Sequence, residues 1–577
     1  MTQQRRLYRH DELARMLNPQ SLAIIGASAR AGAFGERVLA NLKDYAGRIH
    51  LVNTRYEAIG DRPCFPSVRA LPESPDVAVV TVPREAVDEV VEECIAARVG
   101  GMIVFASGYS ETGKADRIAQ QDRLAQRAWE SGIPIIGPNT IGTVNFAMRA
   151  RITFMPYAEM PPPRKGSIGV ISQSGALGFS MEQAMHRGAS VSHVLTSGNS
   201  CDVDMADFVA YLADEPDCGA IALLFEGMAN PMRLVAACEY AWSRNKPVVA
   251  CKLAVGEFGA QAAMSHTGSL AGSQAAYRAA FERAGVVMVD NYESLMETAG
   301  FFAKAPAPRG RGIAVLASSG GAAIMAADKA ELHDVALPQP EPAAQAVLEA
   351  RIPEFGSTRN PVDVTAMVMN DPECIPACAE ALLSDPNYSA MLVPMVFASQ
   401  MGVARVPLYG SLARKHDKPI INVWISDWLE GPTSRELEQE PGVTLFRSMD
   451  RAFATVAAWH RAGDLREKPA RKPVSLAPPE ARAKAAAMIA AAGRTLTERE
   501  SKSAFAAYDI PVVRELLVQS EDECARAAAE LGLPAVLKVE SPDLPHKTEA
   551  GVIRLNLKSE AEVRDAHRAV MANAAKV

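Results

Sequence analysis

Short, unbroken apolar runs alternate along this chain with longer Ala-rich amphipathic stretches. The runs are Leu22–Ile25, Val77–Val82, Met102–Phe105, Ile168–Ile171, Ile221–Phe225, Val248–Leu253, Ile313–Leu316, Met391–Val393 and Ile420–Trp424. Unbroken runs of this length suit parallel strands covered on both faces. Their alternation with helical patterns predicts doubly wound α/β domains. Three segments interrupt the series: Met155–Gly166, with Pro156, Pro161, Pro162 and Pro163; Lys304–Gly312, which reads KAPAPRGRG; and the charged, Pro-rich Gly463–Pro479. Read as linkers, they divide the chain near residues 155, 307 and 470. The expected domains are 1–150, 160–303, 311–465 and 485–577. The last opens on a capping box, Thr497 with Glu500. The helix that follows puts Ala504, Phe505 and Tyr508 on one face. No internal repeat is apparent.

A chain of 577 residues exceeds one hydrophobic core, and at about 100–200 residues per domain three to five are expected. The net charge of −7 leaves no basic footprint for nucleic acid. The polar start, Met1–His10, lacks the apolar stretch of a signal peptide. No apolar run reaches the roughly 20 residues that span a bilayer, so a cytoplasmic protein with no membrane partner is expected. Nine cysteines are scattered without a CxxC pair, and no histidines cluster near Cys374 and Cys378. This pattern suits a reducing compartment and argues against a zinc site.

The first apolar run leads into GASARAGAFGERVLANL. Gly26, Gly32 and Gly35 let the backbone turn tightly before a helix that starts near Phe34. Ser28 lies in the same turn. Backbone N–H groups at such a helix start favour phosphate, although βα turns also use glycine for packing alone. The spacing is not GxGxxG, and the second strand ends at Asn53 where an NAD site places an acid. Val82-Pro83, Ala106-Ser107-Gly108 and Gly137-Pro138-Asn139 each follow an apolar run. They are expected at the carboxyl ends of neighbouring strands, where open α/β sheets bind ligands.

In the second domain, Ile168–Ile171 runs into SQSGALG. A hydrolase elbow needs Gly-x-Ser-x-Gly, and residue 172 is Ser. Ser172, Ser174 and Gly175 instead suggest a helix N-terminus open to an anion. A histidine taken alone is more often structural than catalytic. Around His266, however, Ser265, Thr267, Gly268, Ser269 and Gly272 leave the imidazole unscreened, as a loop nucleophile requires. Glu226 ends the strand Ile221–Phe225 in the same domain. A buried carboxylate there fixes the tautomer of an imidazole and leaves its other nitrogen as nucleophile; an ordinary strand-end acid fits the position too. Asp202, Asp204 and Asp207 have metal-like spacing but lack the Gly and distal Glu of a calcium loop, so capping and solvation are the expectation.

The segments IGAS (25–28), VTVP (80–83), GPNTIG (137–142), GVISQSGALG (169–178), LLFEGM (223–228) and MSHTGSLAG (264–272) resemble the α subunit of succinyl-CoA synthetase. They resemble the α part of ADP-forming acetyl-CoA synthetases more closely still. The resemblance implies a CoA-binding Rossmann-like first domain, phosphorylation of His266 and Glu226 as the acid paired with it. Thr140 stands where many relatives have Cys. ASSGGAAIMAADKA, with Ser319, Gly320 and Gly321, and NPVDVT (360–365) are similar to the nucleotide-side subunit. The family places there a second helix N-terminus facing the phosphohistidine. The tail resembles the first lobe of an ATP-grasp domain. Lys538 matches a nucleotide-phosphate lysine, and His546 a mobile-loop histidine that relays phosphate. The resemblance implies CoA, ATP or GTP and Mg²⁺ as reactants, with the metal ligands in a second grasp lobe expected beyond residue 577 or on another polypeptide. It also implies a carboxylic acid or acyl-CoA as substrate, and a homodimer is expected. The competing readings are a catalytically incomplete CoA-binding regulator or scaffold, a relative of protein acetyltransferases, and, more distantly, an NAD-dependent oxidoreductase.

Overall fold

The computed structural model describes residues 5–156, 158–267, 273–366, 370–468, 477–492, 496–541 and 550–576, the side chains of 264–267, 401 and 479 excepted. All nine apolar runs form strands. The chain divides into two compact units, Met1–Ala470 and Arg471–Val577.

The first unit holds three sheets. The first contains β1 (Ser21–Ile25), β2 (Arg48–Val52), β3 (Ala58–Ile59), β4 (Arg62–Phe65), β5 (Val77–Val80), β6 (Met102–Val104) and β7 (Ile135–Ile136), in the order β3-β4-β2-β1-β5-β6-β7. All pairings are parallel except that of β3 with β4. The order reverses between β1 and β5, which opens a crevice at their carboxyl ends.

The second sheet contains β8 (Gly142–Asn145), β9 (Ala150–Thr153), β10 (Ile168–Ser172), β11 (Val191–Thr196), β12 (Ala220–Phe225), β13 (Val248–Lys252) and β14 (Val287–Val289). Its order is β14-β13-β12-β10-β11-β8-β9. The five strands from β10 onward are parallel, with a flavodoxin-like order and a reversal between β10 and β12. β8 and β9 lie antiparallel at the edge, β8 on β11 through Val194↔Val144. The strands β8 and β9, before the proline-rich segment near 155, pair with the second sheet and not the first. Their apolar side chains Val144 and Ile152 are 0 % and 1 % exposed there, and this burial decides their place.

The third sheet repeats the five-strand order with β15 (Gly312–Ala317), β16 (Val362–Asp363), β17 (Tyr388–Met395), β18 (Ile420–Trp424) and β19 (Val443–Phe446), arranged β16-β15-β17-β18-β19 and wholly parallel. Asn360 secures β15 by imitating a strand backbone. Its Oδ1 accepts the Val315 N–H at 2.9 Å and its Nδ2 donates to Ile313 O at 2.8 Å. One buried cluster runs from Val170 and Leu224 of the second sheet to Val315 and Leu392 of the third. The helices Tyr292–Lys304 and Met449–Glu467 lie between them, joined by Thr298 and Thr455 hydroxyls 2.9 Å apart. The latter helix extends past the expected linker start at Gly463.

The second unit pairs β20 (Ala535–Lys538) antiparallel with β21 (Ile553–Leu557). The helices Glu521–Leu531 and Glu560–Ala574 pack a small core of Cys524, Ala528, Val563 and Ala566. Thr497 and Glu500 make the expected capping box at the helix Glu498–Ala507. Among the described residues no helix is long and apolar enough to cross a membrane.

Candidate functional site

A cavity of about 950 Å³ occupies the crevice between β1 and β5. Gly26 and Ser28 line it after β1, Asn53 after β2, Pro83 after β5 and Ser107 after β6, and Gly35 closes it from the helix Phe34–Asn41. The glycines are required by space. Gly26 has φ +90°, and a Cβ on Gly35 would stand 2.6 Å from the Gly26 carbonyl oxygen. That helix and the helix Arg84–Ala96 follow Ala33 and Pro83 without a side-chain cap, and Phe34, Gly35, Arg84 and Ala86 of their first turns line the cavity. Arg30, Arg55 and Arg84 add positive charge to its wall. The sequence reading missed these three; their signal was a basic residue within two or three positions of each turn. Asn53 organises the wall, with Nδ2 donating to Ala27 O at 2.7 Å and Oδ1 accepting the Arg55 N–H at 2.8 Å. The cavity thus suits a ligand with several phosphates.

Gly108 and Asn139 are not part of this wall. Glu111 folds back and accepts the Gly108 N–H at 2.6 Å. Asn139, at φ +58°, donates to Asn199 Oδ1 at 3.1 Å and so faces the second domain. Thr140 is 3 % exposed and hydrogen-bonds Thr196 through the carbonyl at 2.8 Å and the hydroxyl at 2.9 Å, a structural role between strand ends.

A second constellation sits at the reversal between β10 and β12. After β10, Ser174 is the N-cap of the helix Gly175–Glu182 and makes no side-chain cap bond, which leaves the helix start open. The Ser172 hydroxyl is buried and donates to Ser174 O at 2.6 Å, so it shapes the turn from within. Glu226 follows β12 and is 9 % exposed. Gln173 fixes its backbone, with Oε1 accepting the Glu226 N–H at 2.9 Å. Beside it on β13 lies Lys252, whose ammonium burial lowers its pKa and the Glu226 charge raises it. His266 belongs to the helix Glu257–Thr267, which corrects the expected loop; small residues are compatible with a last helical turn. Its side chain and residues 268–272 lie outside the described residues.

At the matching reversal of the third sheet, Ser319 begins the helix Gly320–Leu332, again without a side-chain cap. An Asp363 carboxylate oxygen lies 3.3 Å from where a Gly320 Cβ would project, so a carboxylate already faces this helix start, and Gly321 follows in the same turn. In the second unit Lys538 lines a cavity of about 820 Å³ together with Lys502. Lys538 pairs with Glu498, and Lys502 bridges Glu498 and Glu515 at 2.8 Å each. The bonds from Lys502 and Lys538 hold the Glu498 carboxyl down at about 2. His546 lies outside the described residues.

The three carboxylates with metal-like spacing are used otherwise. Asp204 caps the helix Met205–Asp214, Asp202 accepts the Ile135 N–H at 2.9 Å, and the fully buried Asp207 pairs with Arg5 at 2.5 Å and Arg233 at 3.0 Å. Among the described residues no group of three or more His, Cys, Asp or Glu could hold a metal ion.

Residues 20–145 match a CoA binding domain, residues 165–302 a succinyl-CoA ligase like flavodoxin domain, and residues 487–577 an ATP-grasp domain. The chain is 30 % identical to an ADP-forming acetate–CoA ligase of Archaeoglobus fulgidus over 94 % of its own length and 78 % of the relative's. It is 29 % identical to a trans-feruloyl-CoA synthase of an unknown prokaryote over 98 % of itself and 80 % of that protein. Its fold superposes with a TM-score of 0.71 on the Candidatus Korarchaeum cryptofilum acetyl-coenzyme A synthetase 1 solved with phosphate and ADP, covering 80 % of this chain and 99 % of that one at 26 % identity. Three domains of these types in this order define an acid–thiol ligase. The chain belongs to the family of ADP-forming acyl-CoA synthetases.

Proposed function

We propose that the chain makes acyl-CoA from a small carboxylic acid, CoA and ATP, with release of ADP and phosphate, and that His266 carries the phosphoryl group between nucleotide and acid. What carries this reading is the place of Glu226. It stands at the β10/β12 reversal beside the uncapped helix start at Ser174, on the strand next to the one that leads into the His266 helix. The Glu226 carboxylate orients the imidazole by accepting a hydrogen bond from one ring N–H, so that the other nitrogen attacks. The helix starts at Ser174–Gly175 and Ser319–Gly321 neutralise phosphoryl oxygens in transit.

In the synthetic direction the terminal phosphoryl of ATP passes to His266, by way of His546, and ADP leaves. A carboxylate oxygen of the acid attacks the phosphorus, giving an acyl phosphate and free imidazole. The CoA sulfur attacks the acyl carbon, phosphate leaves, and the thiol proton goes to solvent. CoA is assigned to the cavity of Gly26, Ser28, Gly35, Asn53, Pro83 and Ser107, and the nucleotide phosphates to Lys538. The described residues provide no Mg²⁺ cluster, so no step is assigned to the metal. The proposed domains are those bounded near 155, 307 and 470, with residues 142–153 moved to the second. A homodimer working in the reducing cytoplasm, where nine free thiols persist, completes the reading.

The test is phosphorylation of the whole chain from acetyl-CoA and labelled phosphate, the reverse of the last two steps. An acid-labile, base-stable label absent from His266→Ala is expected. Full acyl-CoA synthesis by His266→Ala would overturn the assignment.

A further inference from the structure

Lys252 ends β13, a strand otherwise made of Val248, Val249, Ala250 and Cys251, yet it is only 3 % exposed. A lysine at a strand end ordinarily extends its ammonium to water. This one turns inward. Its Nζ donates to the carbonyl oxygens of Leu253 at 2.9 Å and Ala254 at 3.4 Å, and lies 5.4 Å from the centre of the Tyr277 ring. Two of its three donors are thus engaged on the backbone that leaves β13, and Ala254 holds that exit in a left-handed turn at φ +55°. Register brings it beside the acid, since Phe225 pairs with Lys252 and Leu253 N donates to Phe225 O at 2.7 Å. Glu226 is the next residue. The two opposed effects on the Lys252 pKa, burial and the Glu226 charge, agree with that proximity.

Tyr277 completes the arrangement from the other side. It is 5 % exposed on the helix Gln274–Arg283, its ring packs 5.3 Å from that of Phe225, and its hydroxyl accepts the Met228 N–H at 3.2 Å. The chain between β13 and the helix Gln274–Arg283 carries His266. Lys252 therefore braces the backbone just after β13, which the Leu253 N–H holds to Phe225 O, and Tyr277 ties the helix Gln274–Arg283 to Met228.

We infer that Lys252 is a positioning residue for phosphoryl transfer: it braces the exit of β13 beside the strand end that bears Glu226, while Tyr277 holds Met228 of the same turn, and it sets a buried positive charge near that carboxylate. This rests on the reading of Glu226 and His266 given above. The ammonium makes no bond to the transferred group. It fixes the distance and orientation between acid and imidazole, and a misplacement of reacting groups by about 1 Å is enough to slow a reaction about a hundredfold.

The experiment labels the full chain from acetyl-CoA and radioactive phosphate. Lys252→Met should lower the rate of His266 labelling at least about tenfold while CoA affinity stays near wild type. Lys252→Arg should recover a substantial part of the rate, and Tyr277→Phe should fall between wild type and Lys252→Met. Combining Lys252→Met with Glu226→Gln should cost no more than the worse single change, because the two act as one unit. Labelling of Lys252→Met at the wild-type rate, or losses that multiply in the double variant, would overturn the inference. If Lys252→Met does not fold, wild-type labelling by both Lys252→Arg and Tyr277→Phe does the same. An intact label in His266→Ala would instead defeat the underlying reading, so the two failures are distinct.

Discussion

The side-chain oxygen of Gln173 accepts the backbone N–H of Glu226 at 2.9 Å and lies 3.4 Å from the N–H of Gly227. One amide thereby joins the turns after β10 and β12 and holds the two lips of the reversal at a fixed separation.

Gln173→Leu should consequently reduce phosphorylation of the chain more than it reduces stability. Removing the acceptor leaves two partly buried N–H groups to find other partners, at a cost of about 1–3 kcal/mol. Thermal melting and labelling from acetyl-CoA and phosphate, measured on the same preparation, check this. An unchanged labelling rate would show that the bridge does not position Glu226.

Gly35→Ala tests the ligand cavity of the first domain. The added methyl would meet Gly26 O at 2.6 Å and Ala27 Cα at 3.0 Å, both backbone atoms. The helix must move away from β1, at about 1–3 kcal/mol, and its first turn moves with it. Calorimetry should show CoA binding weakened by at least about tenfold, that is, by 1.4 kcal/mol. Unaltered CoA affinity would place the CoA phosphates elsewhere.

His193 makes stability depend on pH. It is fully buried on β11, neither ring nitrogen has a hydrogen-bond partner among the described residues, and burial pushes its pKa down to about 4. In the unfolded chain it takes a proton near pH 6.5. The stability owed to its neutrality is present above about 6.5 and lost as the pH falls toward about 4. His460, also pushed down to about 4 by burial, acts in the same direction. His193→Phe forfeits no hydrogen bond and removes one titration. Its melting temperature relative to wild type should rise steadily as the pH is lowered from 7 to 5. Parallel curves would disprove the assignment.

Lys304 binds the second domain to the third. Its ammonium donates to the carbonyl oxygens of Glu438 at 2.6 Å, Val443 at 2.9 Å and Glu440 at 3.2 Å, at the end of the helix Ser434–Gln439. Lys304→Met keeps the aliphatic stem but deprives three carbonyls of a charged donor. A loss of about 2–4 kcal/mol in denaturant unfolding is expected, against little change for the exposed Lys43→Met. A loss below about 0.5 kcal/mol would mean that the carbonyls find other donors.

The parallel strands were legible because they are buried on both faces and so read as unbroken apolar runs. β11 escaped that reading: Ser192 and His193 interrupt it, although both are fully buried. The pairing of β8 and β9 with the second sheet was not legible, because prolines mark where a chain turns, whereas membership of a sheet is decided by pairing over distance, here Thr143–Asn145 with His193–Leu195. The cavity glycines and Asn53 were legible because tight turns permit few residue types. Lys252 was not. It was counted inside the apolar run Val248–Leu253, and nothing in one dimension tells an inward lysine from one that reaches solvent. The imidazole of His266 depends on a family pattern and not on local propensity, which is helical there.

The transfer of residues 142–153 to the second sheet has a mechanical consequence. The first domain is tied to its neighbour at several places: by the chain that passes from β7 directly into β8, by Arg5, which reaches back to Asp202 and Asp207, by the Ile135 N–H on Asp202, and by Asn139 on Asn199. These attachments resist swivelling. On the reading proposed above, the reach needed to bring a thiol from the first cavity to an acyl group beside Glu226 comes from the long, freely jointed arm of the CoA molecule. In this design the protein acts as a rigid jig, and the substrate is the moving part.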